Sequence, residues 1–225
     1  MQIIIPLDKA VWNFPDVAAA NEDGLLQIGG LVSAEKVLEA YRLGVFPWYS
    51  EEDPVLWWSP DPRFVLFPEE LHVSRSMSKV FRQTQFQFKT DSAFEQVIEN
   101  CKNIRRKEQD GTWITEAMTD AYTKLHYMGY AHSAETWKDG ELVGGMYGVK
   151  IGRVFFGESM FSKETNASKF AFISYVQQLR QAGIGLIDCQ VYTSHVESLG
   201  GRLLERRKFV QLLRELTADQ NLVSR

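Results

Sequence analysis

The stretch GLIDCQV, residues 185–191, places a carboxylate and an amide two positions apart in an otherwise apolar, strand-like run. Side chains two apart in a strand leave the same face. Asp188 and Gln190 are therefore expected side by side, looking into one cavity. A carboxylate and an amide buried together would make a polar site within an apolar interior. The plainer alternative is a buried polar pair that only bridges loops, because buried polar groups need partners wherever they lie. Glu158, in FFGESMF, is a second candidate. Phe156, Glu158 and Met160 alternate on one strand face, so this carboxylate stands among apolar neighbours, suited to a cationic partner or to holding a polar network.

Other chemistries find no support. Cys101 and Cys189 are the only cysteines, each on an apolar stretch and without a CxxC partner, and the four histidines show no zinc-like pairing. No metal site is expected, and the thiols should be reduced and buried, as in a cytoplasmic protein. A Cys189–His195 nucleophile pair is disfavoured, since Cys189 should face away from Asp188 and Gln190; His195 is expected to order the loop that follows. The formal net charge of -4 excludes a general nucleic-acid coat. Contact with RNA must come from local patches: KNIRRK at 102–107, Arg75, Lys79 and Arg82 along one helix side, and ERRK at 205–208. MQIIIPLDKA is too short in its apolar run for a signal peptide. No run approaches the roughly 18 apolar residues of a membrane span.

Around these residues the chain divides in two. Residues 1–62 are rich in Pro, Gly and aromatics and read as a small, loop-rich module. Its one clear helix is capped by Ser33, carries Val37 and Tyr41, and ends at Gly44. From 63 the pattern is regular. FVLFPEELHVS opens on an apolar, strand-like run, and Met77, Val80 and Phe81 form a short helical stripe. Ser92 and Glu95 read as a capping box ahead of Phe94, Val97, Ile98 and Cys101. A further helix bears Met118, Ala121, Tyr122 and Leu125. Three antiparallel strands turn at Asp139–Gly140 and at 150–152, followed by a helix over about 166–182, the strand GLIDCQV and a last helix near 206–216. This is an α+β order whose late helix makes a crossover. It fits the acyl-CoA N-acyltransferase-like (GNAT-like) fold over 63–225.

The stretches FPWYSEEDPVLWWSPDPR, GTWITEAMTDAYTKLH, ELVGGMYGV, FFGESMFS, NASK, DCQV and HVESLGG appear in this order. Together they resemble the leucyl/phenylalanyl-tRNA–protein transferases over almost the whole chain. SLGG departs from the family pattern, in which alanine is the commoner final residue; Gly201 touches no assigned role. The resemblance implies transfer of leucine, phenylalanine and some methionine from aminoacyl-tRNA to the N-terminal Arg or Lys of a protein. The new N-terminus marks that protein for N-degron-dependent degradation. It also implies a cytoplasmic monomer that needs no cofactor, because the ester donor is already activated. By matching position, Gln190 would orient the amine with Asp188 tuning it, and Glu158 would lie in the site. Trp48 and Trp113 would hold the terminal adenosine, with Tyr41 and Tyr122 supporting that network. Met146, Phe155, Phe172 and Ile187 would line the amino-acid pocket. Ile187 should point opposite to Asp188 in a regular strand. Trp57 and Trp58, after an apolar run, are expected in the core.

Three other readings stand beside this one. An acetyl-CoA-dependent acetyltransferase would seat a pyrophosphate on a Gly-rich loop opening a helix, but SKETNASKF contains no glycine. A peptidoglycan aminoacyltransferase does not suit the N-terminal tryptophan motifs. A non-enzymatic binder of N-terminal Arg or Lys leaves Trp48, Trp113 and the Asp188/Gln190 pair unexplained.

Overall fold

The computed structural model describes residues 3–5, 12–104 and 114–218. Two sheets organise them. The first is built from β1 (Ile3–Ile5), β2 (Leu25–Gly29), β3 (Phe46–Pro47) and β4 (Leu56–Trp58), in the order β1-β2-β4-β3. The segment expected to be mostly loop thus carries a small sheet, its strands too short and too broken by Pro and Gly to show periodicity. Helix α1 (Ala34–Leu43) sits between β2 and β3. Ser33 caps it by accepting from the Lys36 N–H, and Gly44 ends it in the left-handed region at φ 80°.

The second sheet begins at β5 (Arg63–Leu66). Helix α2 (Arg75–Arg82), β6 (Gln87–Thr90), α3 (Phe94–Asn103), α4 (Glu116–Tyr127), β7 (Ala131–Lys138), β8 (Glu141–Ile151) and β9 (Val154–Ser162) follow. Then come α5 (Ala167–Gln181), β10 (Leu186–Gln190), α6 (Ser194–Glu197), β11 (Arg202–Leu204) and α7 (Arg206–Thr217). The seven strands lie in the order β11-β5-β10-β9-β8-β7-β6. All neighbours are antiparallel except β9 and β10, which α5 connects as a crossover. The chain is therefore mixed α and β, with a small N-terminal sheet and a sheet-rich remainder.

One hydrophobic cluster spans both parts. Val37, Leu38 and Tyr41 of α1 pack with Met118, Tyr122 and Leu125 of α4 and with Phe209 and Leu213 of α7. A second cluster lies under α5, where Phe172 and Val176 meet Met146, Phe155 and Ile187. Gly144 lets α5 approach β8, since a Cβ there would meet Ala167 backbone at 2.8 Å.

The capping box expected from Ser92 and Glu95 does not form. Helix α3 starts after Ala93, and the buried carboxylate of Glu135 on β7 accepts from the Ser92 and Ala93 N–H groups at 2.9 and 2.8 Å. A cap supplied from another strand satisfies the same orphan donors and leaves no mark in the local sequence.

Candidate active site

Strands β9 and β10 pair only through Leu186↔Val154, Ile187↔Phe155 and Asp188↔Phe156. Where that ladder ends, a cavity of about 630 Å³ opens between Gly157–Met160 on one strand and Cys189–Gln190 on the other. On its other side β10 is irregular. Asp188 pairs with Val65 and Gln190 with Phe64, so Cys189 is the extra residue of a bulge. Gln190 also adopts φ 63°, uncommon for a residue with a side chain. Local backbone cost of this kind concentrates at functional sites.

Beyond the end of the ladder, Glu158 forms the polar centre. Its Oε1 accepts from Tyr41 Oη at 2.6 Å and from Gln190 Nε2 at 3.1 Å, and its Oε2 accepts from Tyr122 Oη at 2.9 Å. The two tyrosine oxygens are themselves 2.5 Å apart. The triangle has three O···O contacts and only two hydroxyl hydrogens. A proton on Glu158 fills the third once the tyrosine that receives it turns its own hydrogen to the other tyrosine. Burial raises the Glu158 pKa to about 7, with the Tyr41 and Tyr122 hydrogen bonds holding it down and the Asp188 charge adding to the rise. Burial first, and then the charge of Glu158, push both tyrosines well above the usual range, so they stay protonated.

Asp188 does not face the cavity, and the expectation that it looks inward beside Gln190 is corrected. Its side chain has no solvent exposure and forms a bidentate pair with Arg63, Nε to Oδ1 at 2.8 Å and Nη2 to Oδ2 at 2.7 Å. Oδ1 also accepts from the Gln190 main-chain N–H at 2.9 Å. Asp188 therefore holds the bulge that aims Gln190, and acts through the backbone rather than on the amide. Arg63 was invisible to sequence reasoning. It is fully buried between the Phe46 and Phe209 rings, at 4.6 and 4.8 Å, and gives Nη1 to the Gly44 carbonyl at the end of α1. A Cβ at Gly44 would meet Phe209 at 3.0 Å in addition to the strained φ.

The cavity walls are mostly apolar. Met146, Phe172 and Ile187 line them, and Ile187 does so because the inward face is the one opposite Asp188. Phe155 does not reach the cavity. It is 1% exposed and packs edge-on against Tyr175, backing the wall from within the same cluster. Met160, Ser168 and His195 are further lining residues that the sequence did not single out as such. His195 thus belongs to the cavity wall rather than merely ordering a loop. Burial, and secondarily the Lys169 charge, lower its pKa and keep it neutral.

Trp48 stands at the rim, 36% exposed, tilted against Trp58 with ring centroids 6.2 Å apart. Trp58 donates Nε1 to the Trp48 carbonyl at 2.7 Å. Trp57 is core, whereas Trp58 is half-buried and braces Trp48. Trp113 and residues 105–107 of the KNIRRK patch lie outside the described residues. Lys102 is paired with Glu116. Arg75, Lys79 and Arg82 are exposed on α2 and in no ion pair among the described residues, while Lys208 pairs with Glu205 at 3.2 Å. Burial pushes the Cys189 thiol far above its ordinary value, which disfavours a thiolate nucleophile. Among the described residues no group of three potential metal ligands gathers, and no helix is long and apolar enough to cross a membrane.

A family model described as leucyl/phenylalanyl-tRNA protein transferase matches residues 65–214, and the model of its N-terminal domain matches residues 30–61. The chain belongs to the leucyl/phenylalanyl-tRNA–protein transferase family. The transferase of Syntrophobacter fumaroxidans is 54% identical over 202 residues, covering 90% of this chain and 86% of its own. That of Syntrophus aciditrophicus is 54% identical over 212 residues, covering 94% and 88%. Among solved structures, L-PGS from Bacillus licheniformis aligns at a TM-score of 0.42 and 15% identity, over 75% of this chain and 54% of that one.

Proposed function

We propose that this aminoacyltransferase moves Leu, and also Phe and some Met, from aminoacyl-tRNA to the N-terminal Arg or Lys of acceptor proteins, marking them for degradation. The observation that carries the reading is Glu158, poised near neutrality between Tyr41, Tyr122 and Gln190 at the end of an apolar cavity. The acceptor is an α-amine of reference pKa about 7.7–8.0, and the donor is an activated ester. The enzyme has only to align them and manage one proton.

In the reaction, the neutral amine attacks the ester carbonyl of the 3′-terminal aminoacyl-adenosine. A C–N bond forms and the C–O bond to the ribose breaks. Glu158 Oε2, which accepts only from Tyr122 among the described residues, receives the proton that the nitrogen sheds, and the departing ribose oxygen takes it up. Gln190 holds the amine: its Nε2 is fixed on Glu158 and its carbonyl oxygen is left to accept an N–H. Asp188 and Arg63 are positioning residues. Met146, Phe172 and Ile187 seat the amino-acid side chain, Phe155 stiffening them from behind. Trp48, braced by Trp58, offers a face to the terminal adenine, with Trp113 as its partner. The phosphates of the tRNA find the α2 cations Arg75, Lys79 and Arg82, which form no ion pair among the described residues.

The same reading makes residues 63–225 a GNAT-like catalytic domain and 1–62 its small N-terminal companion. A parallel strand pair that separates past a short ladder, joined by a crossover helix, supports it. An acetyl-CoA donor fits less well. The first amides of α5 are already used, Ala167 N–H on the Glu164 carbonyl and Ser168 N–H on Ser162 Oγ, so no open nest awaits a pyrophosphate. The same reading makes the protein a cytoplasmic monomer. Incubation with leucyl-tRNA and an Arg-starting peptide should give a Leu-Arg N-terminus. A product seen only with acetyl-CoA, or binding without transfer, would reject the proposal.

A further inference from the structure

We infer that Tyr192 and Glu197 form the subsite for the cationic side chain of the acceptor's first residue, an inference that rests on the transfer reaction proposed above. Tyr192 lines the cavity and is 54% exposed. It is nonetheless held on two sides. Its ring packs edge-on against Phe64 at 5.3 Å, and its hydroxyl donates to Glu197 Oε2 at 2.8 Å. Glu197, on α6, makes no ion pair among the described residues. A fixed aromatic face joined to an exposed, uncompensated carboxylate is the chemistry that attracts a guanidinium or ammonium group.

Its place on the chain fits the task. Tyr192 follows Gln190 by two residues, which puts their Cα atoms at most about 7 Å apart. An amine held at Gln190 and Glu158 therefore leaves the side chain of the same acceptor residue within reach of the Tyr192 ring. Glu158 is poorly suited to that second job. Its oxygens already accept from Tyr41, Tyr122 and Gln190, and it must titrate during the reaction, whereas a permanent cation needs a separate permanent anion. A base-stacking role for Tyr192 is the rival. The Glu197 carboxylate bonded to its hydroxyl would repel the phosphates that accompany any base, so the cation is favoured.

The test compares peptides starting with Arg, Lys and citrulline, the neutral isostere of Arg, using leucyl-tRNA as donor and the full-length enzyme. Glu197→Gln, a surface change that leaves the fold alone, and Tyr192→Leu should each raise KM for the Arg peptide by about tenfold. The preference for Arg over citrulline should narrow by a similar factor, with KM for leucyl-tRNA unmoved. An unchanged KM for the Arg peptide in both variants would overturn the subsite, and so would a rise confined to KM for leucyl-tRNA, which would assign Tyr192 to the nucleic acid. Calorimetric binding of the Arg peptide separates this inference from the reaction beneath it. Wild-type enzyme that transfers leucine while both variants bind the Arg peptide at wild-type strength sinks the subsite alone; wild-type enzyme that makes no Leu-Arg product sinks both.

Discussion

Arg63 and Asp188 grip each other through two parallel hydrogen bonds of 2.8 and 2.7 Å, with neither side chain exposed to solvent. The pair joins β5 to β10 and, through the Gly44 carbonyl, to the end of α1. Removing one member leaves the other charged and unpaired in the interior. Arg63→Met should therefore cost about 3–5 kcal/mol of stability, read from urea unfolding. A double variant, Arg63→Met with Asp188→Leu, should lose much less than the sum of the two single changes. A single-variant loss below about 1 kcal/mol would mean that the pair is solvated after all.

Asp188→Ala should also remove most transfer activity while leaving tRNA affinity nearly intact. The variant strips the acceptor from the Gln190 N–H and lets the bulge relax, so Gln190 no longer meets Glu158. Crystallographic or spectroscopic evidence of an unmoved Gln190 in an inactive variant would assign Asp188 a direct part in the chemistry instead.

Trp48→Ala should weaken an aminoacyl-adenosine analogue by about 1–3 kcal/mol, roughly 5- to 150-fold in Kd. Trp48→Phe should retain much of that affinity, and calorimetry with a non-hydrolysable amide analogue reads both. Equal binding by the alanine variant would remove Trp48 from the adenosine platform.

Pocket size should set amino-acid choice. Phe172→Ala enlarges an apolar wall, and the Phe-to-Leu ratio of kcat/KM should rise by about tenfold, since apolar pockets discriminate by only about 1–3 kcal/mol per methylene. Phe155→Ala, behind the wall, should instead cost stability through the cavity it leaves, about 3–5 kcal/mol. A specificity change as large at 155 as at 172 would contradict the packing described.

What the sequence disclosed followed from local rules. Ser33 and Gly44 bracket α1, and Asp139–Gly140 turns β7 into β8, with φ values of 51° and 85° at the turn. The alternation expected of Phe156, Glu158 and Met160 fails too, because β9 shifts register against β8 at Glu158, and Phe156 and Met160 fall in different clusters. The two-residue spacing of Asp188 and Gln190 misled, because the bulge at Cys189 interrupts the alternation that such spacing assumes. Arg63 stands 125 positions before its partner, and no periodicity reports a contact at that range. Glu135 caps α3 from 42 residues away for the same reason. The strands of the N-terminal sheet were too short to read.

The pH dependence of transfer to an Arg peptide tests the role of Glu158 most directly. Its raised pKa means that the folded chain binds this proton more tightly than the unfolded one. This group therefore favours the fold fully below about pH 4.5, and the contribution fades as pH rises towards about 7. Activity has the opposite sign, because Glu158 must be ionised to receive a proton. In wild-type enzyme log kcat/KM should rise with a slope near two below about pH 7, and near one from there to the pKa of the peptide amine at about 7.7–8.0. Glu158→Gln should run about 10²- to 10⁴-fold slower, with a slope of one governed by the amine alone. A Glu158→Gln profile that keeps both ionisations would contradict the account.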